Sequence, residues 1–292
     1  MRVFISGASG LVGHHCLTVF EEAGWPVMGT YFSFPVPGTL YYNTLEPHHP
    51  NNAPLAEFKP DVLVHCGALT HVDYCETHEE ESYQKTVQST LNMIELARAT
   101  GAKLVFLSTD YVFDGQAGPY AETDAVNPLS VYAKHKLMAE QAVLQEPGSL
   151  VLRITNVYGT EVRNKNFIAR ILTQCAEEQP ITLKLPADQY ATPVNAHDVA
   201  RAMLLLLRDG HTGIFHIAST DWMNRVELAQ RVLQYFPKQV YTLETFTTHA
   251  LQQAAPRPLL GGLLKTKFSA LYPEFRFTNV DDFVREHLKQ TQ

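Results

Sequence analysis

The chain has 292 residues, with 23 Lys and Arg against 30 Asp and Glu, for a formal charge of −7. A composition of 45% hydrophobic and 18% charged residues is that of a globular protein and excludes a disordered or fibrous chain. The acidic balance argues against a general nucleic-acid or membrane surface, and the longest strongly apolar run, Ala202 to Leu207, falls far short of the ~20 residues a spanning helix needs.

In chain order, buried strands are predicted at Val3-Phe4-Ile5, Val27-Met28, Val62-Leu63-Val64, Leu104-Val105-Phe106-Leu107 and Leu150-Val151-Leu152. Each is a short apolar run without alternation, which suits a parallel strand covered on both faces. Helix-length segments separate them at 11–23, 79–100 and 128–146. Residues 31–54, with five Pro, break this rhythm and are expected to form a long surface loop carrying a degenerate strand. After Arg153 helices are expected at 165–178, 196–208, 224–235 and 280–290, joined by Pro-containing loops. Strands alternating with helices imply an α/β class with right-handed crossovers, its binding crevice at the carboxyl ends of the strands.

Gly7-Ala8-Ser9-Gly10-Leu11-Val12-Gly13 follows the first strand and opens the first helix. Small residues there let backbone approach a pyrophosphate, and the helix start offers free N–H groups and a positive dipole end. Placed this way, the motif predicts a Rossmann-like doubly wound sheet binding a dinucleotide through Gly7, Ser9, Gly10, Leu11, Val12 and Gly13. The next strand ends in Gly29-Thr30-Tyr31-Phe32-Ser33, with no carboxylate to accept from ribose hydroxyls and no Arg to clamp a phosphate. The missing acid favours NADP, with Thr30 and Ser33 as donors, while NAD stays open. Cys66 is expected to line the cofactor path. Cys16, Cys66, Cys75 and Cys175 show no CxxC spacing, so they read as reduced thiols of a cytoplasmic protein, and no metal site is expected.

Asn127-Pro128 resembles a helix start, with Asn as cap. Tyr132 and Lys136 then lie four apart on one helical face, where an ammonium would favour phenolate and ease proton transfer. Thr109 sits at the carboxyl end of the fourth strand, where a substrate oxygen would meet it.

These parts together resemble the extended short-chain dehydrogenase/reductases. The strings Ser108-Thr109-Asp110-Tyr111-Val112-Phe113-Asp114-Gly115, Pro119-Tyr120-Ala121-Glu122-Thr123-Asp124 and Asn127 to Lys136 are similar to the dTDP-4-dehydrorhamnose reductase family. Further matching pieces are Gly67-Ala68-Leu69-Thr70-His71-Val72-Asp73, Asn166-Phe167, Asp188 to Pro193 and Arg257-Pro258. The resemblance implies NADP-dependent reduction of a 4-keto nucleotide sugar, with Tyr132 as proton donor, Thr109 assisting and Lys136 holding the nicotinamide ribose. It also implies Gly67 and Ala68 at the cofactor, Thr70, Val72, Asp110, Asn156 and Arg257 at the substrate, and a smaller C-terminal substrate-binding lobe. Residues 1–155 would form the cofactor domain with 195–222 returning to it, and 156–194 with 223–292 the lobe. A homodimer is the generic expectation for such a chain.

Several positions depart from that family's pattern. Asn156 stands where the family places a Trp, Thr86 where many members have Asn, and Leu259-Leu260-Gly261-Gly262 where Asn and Ser are usual. Ala191 replaces a Gly and Val194 a Thr. A substrate diphosphate would need local cations, for which Arg163, Lys165 and Arg257 are candidates. The same resemblance admits a nucleotide-sugar epimerase or dehydratase. It also admits a non-catalytic NADP-binding subunit like the regulatory beta subunit of methionine adenosyltransferase.

Overall fold

The computed structural model describes residues 1–46, 53–177 and 179–291. Residues 47–52 of the predicted loop, and position 178 at the end of one predicted helix, lie outside them.

Seven strands form one sheet: β1 (Val3–Ser6), β2 (Val27–Tyr31), β3 (Thr39–Tyr41), β4 (Val62–His65), β5 (Lys103–Thr109), β6 (Leu150–Ile154) and β9 (Gly213–His216). Their order is β3-β2-β1-β4-β5-β6-β9, and every pairing is parallel. The chain winds outward from β1 to β3, then returns to β4 on the other side of β1. The two windings diverge between β1 and β4, which opens a crevice at their carboxyl ends. The short β3 is the degenerate strand expected within the Pro-rich stretch.

Alternation along the buried strands explains the two helical layers. Val3, Ile5, Val62, Val64, Val105 and Leu107 face one core with α1 (Leu11–Glu22) and α8 (Ala196–Arg208). Phe4, Leu63, Leu104 and Phe106 face the other, with α5 (Ser89–Thr100) and α6 (Val131–Val143). The predicted 79–100 helix is one continuous run, but it changes pitch: α4 (Glu79–Tyr83) leads through a π-helical turn, Gln84–Gln88, into α5.

A smaller group of elements has its own core. Parallel strands β7 (Ile181–Pro186) and β11 (Tyr241–Phe246) pack with α7 (Phe167–Ala176), α9 (Arg225–Leu233) and α11 (Val280–Thr291) around Ile168, Leu172, Leu228, Val232 and Val284. An antiparallel pair, β8 (Tyr190–Ala191) with β10 (Met223–Asn224), joins it. The segment around Phe268, grouped with this lobe by the sequence reading, instead buries that ring in the sheet core beside Tyr272, Phe275 and Phe277. The loop at 256–264 is clipped across the molecule: Leu260 N–H donates to Gly115 O, Gly118 N–H to Leu260 O, Tyr120 N–H to Gly262 O and Leu264 N–H to Tyr120 O, at 2.7–3.0 Å. A Cβ on Gly118 would lie 2.2 Å from Leu260 O, so only glycine permits this approach.

Candidate active site

The crevice deepens into a cavity of about 850 Å³. One end is the glycine turn. Gly7 takes φ +80, and a Cβ on Gly13 would sit 2.3 Å from Gly7 O, so the turn and the first coil of α1 close tightly only without side chains. Gly10 caps α1 with no side-chain acceptor, and the first turn holds no acid. The free N–H groups at this helix start therefore face the cavity with an uncompensated positive dipole end, a setting that fits a pyrophosphate. Ser9, Gly10, Leu11, Val12 and Gly13 all line it, as do Cys66, Gly67 and Ala68 beyond β4.

One expectation at the adenosine end needs correction. Thr30 does not reach the cavity; it is 2% exposed, and its hydroxyl donates to Ile5 O at 3.1 Å. Its backbone carbonyl instead accepts from Ala8 N–H at 2.7 Å, docking the glycine turn on β2. Ser33 does line the cavity. The cation absent from the β2 end in sequence arrives from elsewhere: Arg163, in the loop after β6, places its guanidinium over the Phe34 ring at 5.3 Å, and it lines the same cavity with Phe32 and Ser33.

At the other end Thr109, Tyr132 and Lys136 all line the cavity. The helix that carries the last two begins later than expected. Ser130, not Asn127, is the cap, accepting from Ala133 N–H at 3.3 Å, while the Asn127 amide donates to Asp114 at 3.2 Å. Burial pushes the Tyr132 phenol up, and a hydrogen bond with Thr109 opposes this. The expected ammonium–phenol coupling is not the arrangement found. Lys136 Nζ donates to Leu107 O at 2.5 Å and sits 3.9 Å from the Phe106 ring centroid. Burial pulls its ammonium down to about 7, so neutral pH leaves it poised between charged and neutral forms. His65, next to this site, is buried and bonded to Ser6 Oγ at 2.7 Å; burial and the Lys136 charge push it down to about 3, which leaves it neutral.

Of the residues expected at the substrate, Thr70, Val72, Asp110 and Asn156 line the cavity. Asp110 is buried, its carboxyl raised to about 6 by burial, and it accepts from Gly262 N–H at 3.1 Å. Arg257 is displaced from its expected role: it is paired with Asp73 at 2.8 Å, hydrogen-bonds Tyr111, and is not among the cavity-lining residues. It holds Tyr111, whose ring packs edge-on to Tyr132 at 5.9 Å. Arg225, which the sequence analysis does not name, does line the cavity. It donates to Asn156 Oδ1 at 2.6 Å. Asn156 adopts φ +41, a left-handed conformation that Asn tolerates better than most residues. Of the family departures, Asn156 lines the cavity, whereas Ala191 and Val194 are buried in cores and Thr86 within its helix.

A parallel doubly wound sheet, a glycine turn at its switch point, and Thr, Tyr and Lys gathered at the far end of one crevice define a short-chain dehydrogenase/reductase of the extended type. The chain belongs to the RmlD substrate binding domain family, whose model matches residues 1–290. Among its relatives, methionine adenosyltransferase 2 subunit beta of Xenopus laevis is 32% identical over 263 residues, 88% of this chain and 78% of that one. The probable low-salt glycan biosynthesis reductase Agl14 of Haloferax volcanii is 29% identical over 267 residues, 88% of each. A crystal structure of a dTDP-4-dehydrorhamnose reductase from Clostridium acetobutylicum superposes with a TM-score of 0.83 over 100% of both chains, at 26% identity.

Proposed function

We propose that this protein is an NADP-dependent reductase of a 4-keto nucleotide sugar. The observation that carries the reading is the convergence of Thr109, Tyr132 and Lys136 at one end of a cavity whose other end is the glycine turn. The nicotinamide, when bound, supplies the hydride. Tyr132 then protonates the alkoxide oxygen. Its phenol, pushed up by burial, is a proton reservoir that stays filled at neutral pH and gives up its proton only to the strongly basic oxygen formed by reduction. Thr109 hydrogen-bonds the phenol and orients it. Lys136, held by Leu107 O, presents an ammonium near the site. Its lowered pKa lets it pass a proton on and recover it from solvent at neutral pH. Ser33 and Arg163 at the adenosine end, with no carboxylate beside them in 29–34, favour NADP over NAD.

The likeness to a methionine adenosyltransferase subunit favours a second reading, a binding subunit that keeps the dinucleotide site. Net oxidation of NADPH with a panel of 4-keto nucleotide sugars separates the two. Stoichiometric consumption is expected; tight NADPH binding with no consumption across the panel refutes the reductase and supports the subunit. Retained cofactor with substrate interconversion and no net consumption refutes it in favour of an epimerase or dehydratase.

A further inference from the structure

We infer that Arg225 is the anion reader of the substrate cavity, taking a pair of anionic oxygens on the nucleotide sugar, from its diphosphate or from a carboxylate on the sugar. This deepens the proposed function but stands on observations of its own. Arg225 is the first residue of α9, capped by Asn224, and it is partly buried against the Phe167 ring at 5.0 Å. Three features make this an unfavourable place for a guanidinium on its own. A cation at a helix start opposes the dipole. Arg170 and Arg257 lie close enough to repel it, and burial and their charges together outweigh the pull of Tyr111 and Asp110. Among the described residues, no carboxylate lies within ion-pair distance of it. Its one hydrogen bond goes to a neutral amide, Asn156 Oδ1.

A guanidinium has five N–H donors in a planar fork, and a partly desolvated cation without a counterion is costly. The fork matches two oxygens of a carboxylate or a phosphate, and such paired, charge-assisted bonds are the strong ones. Arg257, by contrast, is already neutralised by Asp73. Asn156 holds the Arg225 fork and stands where the family pattern has a flat apolar ring, so the wall facing the sugar is polar and cationic. An anionic partner there offsets both the helix dipole and the repulsion among the three arginines.

The test uses the full chain saturated with NADPH, titrated calorimetrically with UDP-glucose, dTDP-glucose and UDP-glucuronic acid. Arg225→Gln is expected to lower affinity about 10-fold or more while NADPH affinity is unchanged. An equal loss for all three ligands assigns the diphosphate; a loss confined to UDP-glucuronic acid assigns the sugar carboxylate. Unchanged affinity for every ligand overturns the inference, as does a wild-type protein that binds none of them. Should Arg225→Gln fail to hold NADPH, Arg225→Lys carries the test: it keeps the charge and loses the fork, so a several-fold loss supports the inference and wild-type affinity overturns it. Arg225-dependent binding with no NADPH oxidation on any keto sugar refutes the reductase and leaves the anion site standing.

Discussion

Replacing Asp110 with Asn tests the coupling between the site and the loop that closes over it. Burial raises this carboxyl from 3.8 to about 6, against hydrogen bonds from Thr155 and the Gly262 amide, and with 2% exposure solvent screens it little. The folded pKa lies above the unfolded one, so the folded chain binds the extra proton between those values. The group's contribution to stability is therefore full below about pH 4 and is lost as pH rises through about 6. The whole difference is worth about 3 kcal/mol, of which about 2 kcal/mol falls between about pH 4.5 and pH 7.5. Asp110→Asn keeps the shape and an acceptor for Gly262 N–H but never ionises, so it removes this dependence. Denaturant unfolding of both proteins at the two pH values is expected to show the variant gaining on the wild type by about 2 kcal/mol as pH rises. A stability difference that does not change with pH, or one that moves the other way, refutes the assignment of a buried, raised carboxyl.

Two further outcomes follow from the site. Tyr132→Phe removes the proton donor and leaves the ring that packs on Tyr111, so kcat is expected to fall ~10²–10⁴-fold with NADPH affinity nearly intact; retained turnover removes Tyr132 from the chemistry. Arg163→Gln takes away the cation at the β2 end, so the ratio of NADPH to NADH affinity, read by fluorescence titration, is expected to drop ~10-fold, the worth of one charge-assisted hydrogen bond. An equal fall for both coenzymes shows that Arg163 supports the loop rather than reading the phosphate.

The parts legible in sequence are those fixed by local rules. The sheet strands are continuous apolar runs because both faces are covered, and the four-residue step from Tyr132 to Lys136 survives a helix that starts three residues later than Asn127 suggested. The orientation of Thr30 is not legible in this way, because strand composition does not say which face a hydroxyl takes; here it points inward, with Ile5 O as acceptor. Arg225 itself, and the placement of Arg163 at the β2 end rather than at a substrate diphosphate, are out of reach for another reason. Arg225 meets Asn156 across 69 positions, and Arg163 meets Phe34 from a different layer of the fold. Such pairings depend on how the lobe is seated, which no periodicity records. Arg257 shows the reverse: the family resemblance places it at the substrate, but Asp73, on a distant helix start, already neutralises its charge.

The clip that binds 256–264 to Gly115, Gly118 and Tyr120 has a bearing on biosynthesis. A nascent chain emerging from the ribosome can lay down all seven strands of the main sheet by His216, yet the wall beside Asp110 waits for Gly262. The chamber is thus completed late, and a nick by a protease in that stretch would leave an intact open sheet beside an unfinished wall.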